Sequence, residues 1–183
     1  MAEALLAGEP FRASENAYDW LGHGVYFWEA NPDRGLDFAK VSAARPRSKI
    51  SEPTLVGAVL DRGLCLDMTT LGSIALFEEA YQSLRESLEI SGKPLPRNSK
   101  DMLRRDLDCA VVNRLYEMLV AQNNPFDTVK GIFVEDDPIY VGSGFHRSTH
   151  VQIAVRNPGC IKGVFRVPRT HLALLARETG TAA

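Results

Sequence analysis

Residues 22–29 read Gly-His-Gly-Val-Tyr-Phe-Trp-Glu. The two glycines leave the backbone bare, which admits either a ligand or a neighbouring strand at close range. Three aromatic rings follow in succession. In an extended strand alternate side chains point to opposite faces, so Val25 and Phe27 share one face and Tyr26 and Trp28 the other. Val25 and Phe27 suit a core. Tyr26 and Trp28 are flat and amphipathic, and Tyr26 is suited to stack on a planar heterocycle. The same pattern also fits a strand buried on both faces, whose rings only pack.

The other reactive residue types are dispersed. Of the four histidines (His23, His146, His150 and His171) only His146 and His150 are four apart, and they fall in a loop and a strand rather than on one helix. Cys65, Cys109 and Cys160 form no Cys-x-x-Cys pair, so no metal site is expected. Three widely spaced cysteines fit the reduced thiols of a cytoplasmic protein better than disulfides. Residues 142–150, Gly-Ser-Gly-Phe-His-Arg-Ser-Thr-His, offer amides that could form an anion nest. They open no helix after a strand, so a phosphate-binding loop is not expected. The formal net charge of −2 gives no general basic field for nucleic acid. No run approaches the roughly 18 apolar residues of a membrane span, and the first eight residues lack the basic and apolar regions of a signal peptide.

Positioning these residues requires a mixed set of elements. The 183 residues, 45% hydrophobic and 24% charged, are read as one globular domain spanning 1–183 with a substantial core. A short helix, Glu3 to Ala7, is closed by Gly8. Strands are expected at 24–28 and 54–61, with a helix over Arg34 to Ala44 between them. A helix capped by Asp67 or Thr70 runs to about Ile90, with Leu71, Ile74, Leu76, Phe77, Tyr81, Leu84 and Leu88 as its apolar stripe. A loop, 91–99, leads to a second long helix from Lys100 to Gln122, carrying Met102, Leu103, Leu107, Ala110, Val111, Leu115 and Leu119 on one side. Four strands then follow at 128–135, 138–142, 149–155 and 160–167. Residues 171–178 read as a short helix or a tail. The sum is α+β rather than a regular βαβ alternation.

The stretch 22–39, Gly-His-Gly-Val-Tyr-Phe-Trp-Glu-Ala-Asn-Pro-Asp-Arg-Gly-Leu-Asp-Phe-Ala, resembles the second signature of the ADP-ribosyltransferase superfamily. That signature is a Gly-x-Gly-[Ile/Val/Phe]-Tyr-Phe strand followed by a turn and a helix. Phe11 and Ser14 stand where the superfamily has a Phe and a Ser before the glycines. The segment 126–155 is similar to the end of a poorly characterised bacterial branch.

The resemblance implies a split β-sheet around an NAD cleft, with the two long helices inserted mid-chain. It implies NAD as substrate, held by Ser14, His23, Gly24, Tyr26, Phe27 and Trp28, with Tyr26 stacked on the nicotinamide; His23 reads equally as a packed turn residue. On the late strand of such proteins a catalytic Glu faces the cleft; Gln152 takes that place here, with His150 and Ala154 on its face. Because Gln carries no charge, the acid is expected from Glu29 or Glu135. The loop residues Phe145, His146 and Arg147 are the expected contacts to an unidentified macromolecular acceptor. The first signature, a strand bearing His-Gly-Thr or Arg, does not occur in this sequence; either the product starts further upstream, or the protein lacks the usual anchor for the carboxamide.

The implied function is transfer of ADP-ribose from NAD to a macromolecule, as in bacterial toxins, effectors or defence proteins of the cytoplasm. The alternative is a catalytically idle module of the same fold that binds NAD, ADP-ribose or a protein. A third reading makes 70–122 a partner-binding helical unit.

Overall fold

A computed structural model of the chain describes residues 2–172. The elements, in order, are α1 (Ala2–Leu6), β1 (Val25–Trp28), α2 (Pro32–Ala43), β2 (Val56–Leu60), β3 (Cys65–Asp67), α3 (Leu71–Ile90), α4 (Asp106–Ala121), β4 (Thr128–Phe133), β5 (His150–Val155) and β6 (Ile161–Arg166). The architecture is α+β. One sheet has the strand order β1-β5-β4-β3, and β2 pairs with β6 in a second sheet. β5 is antiparallel to both β1 and β4, while β3 runs parallel to β4.

Register assigns the two faces of the larger sheet. Tyr26 lies opposite Ala154 and Trp28 opposite Gln152, and on β4 the matching residues are Val129 and Gly131. Helices α3 and α4 cover this face. Val111, Val112, Leu115 and Ala80 join Leu66, Val129, Phe133 and Ala154 in one buried cluster, with Tyr26 packed against it. The other face carries Val25, Phe27, Ile153 and Val155. They meet Cys160, Phe11, Leu60 and Ile161, so the β2–β6 ribbon closes that side. The aromatic strand is therefore sandwiched, and neither glycine opens onto a free face at this end. A Cβ at position 24 would stand 2.8 Å from the Val155 carbonyl oxygen, and one at position 22, where φ is +74°, would stand 2.7 Å from Val112 Cγ1.

Several expected boundaries move. The expected strand at 138–142 is absent; Pro138 and His146 form only an isolated bridge, and Tyr140, Val141 and Phe145 are exposed. An apolar run that buries neither face gains nothing from pairing in a sheet. Helix α4 starts at Asp106, six residues later than expected. Asn98 Oδ1 accepts the N–H groups of Leu107 (3.0 Å) and Asp108 (3.2 Å), and Ser99 and Asp101 shape the preceding turn, leaving Met102 and Leu103 exposed. Thr70 caps α3 as expected, but Leu71, Ile74 and Leu76 stay exposed because only the later part of that stripe reaches the sheet. Strand β3 was not foreseen. Of the expected terminal element 171–178, residues 173–178 lie outside the described residues.

Asn113 joins three parts of the fold. Its Oδ1 accepts the His23 N–H (3.2 Å) and Arg156 Nη1–H (2.8 Å), tying α4 to the glycine turn and to the residue after β5. The Arg156 guanidinium lies 3.9 Å over the Tyr116 ring, and burial lowers its pKa below the ordinary arginine value.

Two outcomes follow from this packing. Leu115 is 1% exposed, so Leu115→Ala should cost about 2–5 kcal/mol in urea unfolding; a loss below about 1 kcal/mol would contradict the helical core. Asp127 accepts from Asn157 Nδ2 (2.7 Å) and the Leu64 N–H (2.9 Å), and these bonds hold its carboxyl below the ordinary aspartate value of 3.8. A depressed native pKa adds stability that is present above the unfolded value and lost as pH falls through the native one. Melting temperature should therefore drop as pH falls below 3.8, and Asp127→Asn should flatten that part of the profile.

Candidate functional site

The face shared by Tyr26, Trp28 and Gln152 leaves the helical cover at the end of β1. The next residue of β5 on that face is His150, opposite Phe133 of β4. Helix α2 arrives here. Asn31 caps it by accepting the Arg34 N–H (3.1 Å), and Pro32 fills its first turn. A Cβ at Gly35 would lie 3.0 Å from Leu55 Cδ2 and 3.5 Å from Trp28 Cε3, so glycine lets α2 settle on the indole. The Trp28 ring also meets Phe38, with centroids 5.1 Å apart.

This approach delivers Arg34 to Glu135. Arg34 Nη2 donates to Glu135 Oε2 at 2.7 Å, while Nη1 pairs with Asp37 at 3.0 Å. His150 Nδ1 lies 3.7 Å from the same Glu135 oxygen and 2.7 Å from the Ser148 carbonyl oxygen. A carbonyl only accepts, so Nδ1 carries the proton and, in the neutral ring, Nε2 keeps its lone pair. The His150 side chain is 1% exposed, Glu135 15% and Arg34 21%. The His150 ring packs at a tilt against Phe133, with centroids 5.6 Å apart, and Phe133 against Trp20 at 4.3 Å.

The knot leaves polar atoms over. Among the described residues, Trp28 Nε1, Arg34 Nε and His150 Nε2 are buried without a hydrogen-bond partner; a fourth such atom, Ser42 Oγ, is at the far end of α2. Most buried polar groups in folded proteins are satisfied, so these unpaired atoms set this end of the sheet apart from the rest of the described core.

The sequence-derived site residues divide. Trp28, Gln152 and Glu135 come together with His150 and Arg34. Phe27 faces the other way and packs edge-on against Phe11 at 5.4 Å. Glu29 follows Phe27 onto that opposite face, where it pairs with Lys130 at 3.1 Å. Tyr26 lies between the glycine turn and the helices. Its hydroxyl accepts the Leu21 N–H (2.8 Å) and donates to the Gly22 carbonyl (2.7 Å), and burial raises its pKa well above the ordinary tyrosine value. Ser14 and Gly24 exchange backbone hydrogen bonds at the start of β1, beside a polar cavity of about 670 Å³ lined by residues 11–16. His23 sits in the turn tied to Asn113. Phe145 is exposed, and His146 Nδ1 lies 2.7 Å from the Asp136 carbonyl oxygen. Sequence reasoning named neither Arg34 nor His150 as site residues. His150 shares the strand face of Gln152, and that parity was the available signal.

No protein-family model, no curated protein and no solved structure matches this chain. Among the described residues, no helix is long and apolar enough to cross a membrane.

The Arg34–Glu135 pair can be tested as a unit. Removing Glu135 leaves a poorly solvated guanidinium and should cost about 2 kcal/mol for Glu135→Ala. Arg34→Ala should cost less in that background than in wild type, giving a coupling of about 1 kcal/mol or more in a double-mutant cycle. Additive losses would show that the two side chains do not depend on each other.

Proposed function

We propose that this domain binds NAD and transfers its ADP-ribose to a macromolecular acceptor, with Glu135 as the catalytic acid group. One observation carries the choice: Glu135 joins Trp28, Gln152 and His150 on one side of the sheet, whereas Glu29 is on the other side in an ion pair with Lys130. The glycine turn leading into Tyr26-Phe27-Trp28 and the pairing of that strand with the Gln152 strand support the same reading, as does its likeness to the ADP-ribosyltransferase signature. The wider setting it fits is a cytoplasmic bacterial toxin, effector or defence protein with a split sheet around the NAD site.

In this reading the bond between C1′ of the ribose and the nicotinamide nitrogen breaks, and the electron pair leaves with nicotinamide. Positive charge develops on the ribose, and the Glu135 carboxylate stabilises it. A nucleophilic atom of the acceptor then bonds to C1′ and releases its proton. Gln152 has no charge to offer and serves to orient a hydroxyl. Trp28 supplies an aromatic wall, and the exposed loop around Phe145, His146 and Arg147 is the acceptor-facing surface.

A second reading is favoured by a different observation. Glu135 is already neutralised by Arg34 at 2.7 Å, and the Tyr26 hydroxyl is engaged by Leu21 and Gly22. Groups engaged in this way suit a binding module that holds NAD or ADP-ribose without cleaving it.

One assay separates the two. Nicotinamide release from NAD should be measurable for the wild type and should fall by roughly 10²-fold or more in Glu135→Gln, as for loss of one electrostatic group. Glu29→Gln should keep the wild-type rate. NAD binding without release by any variant supports the idle module, and equal rates in wild type and Glu135→Gln would remove Glu135 from the chemistry.

A further inference from the structure

Charge is unevenly placed along this chain. The whole sequence has 23 acidic and 21 basic residues, yet residues 38–51 contain Lys40, Arg45, Arg47 and Lys49 and no acid. This run is the latter half of α2 and the turn that follows it, where the Ser48 N–H donates to the Arg45 carbonyl at 3.1 Å. All four basic residues are exposed. Among the described residues none of them forms an ion pair. The acid just before the run, Asp37, pairs with Arg34 at 3.0 Å. Three apolar residues stand among the bases and are exposed too: Phe38 (41%), Val41 (51%) and Ile50 (43%). At 3.6 residues per turn Phe38, Val41 and Arg45 share one face of α2, and the Arg45 guanidinium lies 5.9 Å over the Phe38 ring. The inner face of the helix, at Gly35, rests on Leu55 and Trp28. The outer face is left both cationic and apolar.

A partner for this surface must be anionic and must accept apolar side chains. A phosphodiester backbone answers the charge but has no place for Val41 and Ile50. Phe38 already packs against Trp28 at 5.1 Å and under Arg45, which makes it a poor platform for base stacking. The interface of an anionic bilayer meets both needs. Its headgroups pair with the bases, and apolar side chains enter the boundary with the acyl chains. We infer that the outer face of α2 and residues 45–50 dock the protein on an anionic lipid surface. Attachment of this kind is peripheral, and it does not depend on NAD binding. Arg34, one turn before Phe38 on the same helix, reaches Glu135, so the docked protein holds that end of the sheet near the leaflet.

The test sediments the intact protein with vesicles of equal parts phosphatidylserine and phosphatidylcholine, and with vesicles of phosphatidylcholine alone. The protein should bind the first and not the second, and added salt should weaken binding because surface charges are screened. Each basic residue near an anionic leaflet strengthens binding on the order of fivefold. Arg47→Gln combined with Lys49→Gln should therefore weaken it by roughly 25-fold. Lys93→Gln, which removes an exposed base between α3 and α4, should leave it unchanged. Val41→Ser combined with Ile50→Ser should weaken vesicle binding as well, with the wild-type melting temperature kept because both residues are exposed. Equal binding to the two vesicle types, binding to neither, or wild-type binding by either double variant would overturn lipid docking. So would binding to a DNA duplex that is tighter than vesicle binding, lost in the Arg47 and Lys49 variant and kept in the Val41 and Ile50 variant, since that pattern assigns the surface to nucleic acid.

Discussion

The pairing of β1 on β5 is the constraint from which the rest of the molecule follows. Gly24 allows it, because any side chain there would press on the Val155 carbonyl at 2.8 Å. Once β1 is seated in that register, Tyr26 must face Ala154 and Trp28 must face Gln152. One face of the strand then belongs to α3 and α4, and the other to the β2–β6 ribbon. Gly22 lets the preceding turn lie against Val112, and Asn113 bonds the turn and Arg156 to the same helix. The glycines thus serve close packing of strand and helix. At the far end of β1 the cover by α3 and α4 stops, and α2 packs Gly35 and Phe38 against Trp28 instead.

At that end the molecule accepts a local cost. A buried donor or acceptor without a partner costs about 1–3 kcal/mol, and Trp28 Nε1, Arg34 Nε and His150 Nε2 all fall in this class among the described residues. Apolar residues of similar size would fill the space more stably. The surrounding rings are closely packed nevertheless. His150 packs against Phe133, Phe133 against Trp20, and the Trp20 indole N–H donates to the Leu103 carbonyl at 3.0 Å.

Much of the fold was legible where a pattern runs long enough. The periodicities of α3 and α4 and the alternation of β1 and β5 give the right element types, because burial repeats over several turns or residues. Three-residue β3 has no such pattern, and its pairing with β4 depends on partners remote in sequence. The run Pro138–Gly142 has strand-like residues, yet nothing covers its side chains, so it stays irregular. The start of α4 was misplaced because Asn98 supplies the first-turn bonds from eight residues upstream, beyond any local capping pattern. At the site, the parity of Gln152 was readable. That Glu135, rather than Glu29, joins it depends on the path of the chain after β4, and Arg34 reaches it only because Gly35 brings α2 onto Trp28.

The central claim is that the end of β1 is a ligand site built around Trp28, and the chain's two tryptophans make this directly measurable. Each gives one indole N–H signal in a nitrogen–proton NMR spectrum. Trp20 Nε1–H is already bonded to the Leu103 carbonyl, whereas Trp28 Nε1–H has no partner among the described residues. Trp28→Phe assigns the two signals. On titration with NAD, the Trp28 signal should move progressively to saturation in the direction of a newly formed hydrogen bond, while the Trp20 signal stays nearly fixed. A Trp28 signal that does not move at saturating NAD, or a shift confined to Trp20, would contradict this placement of the site.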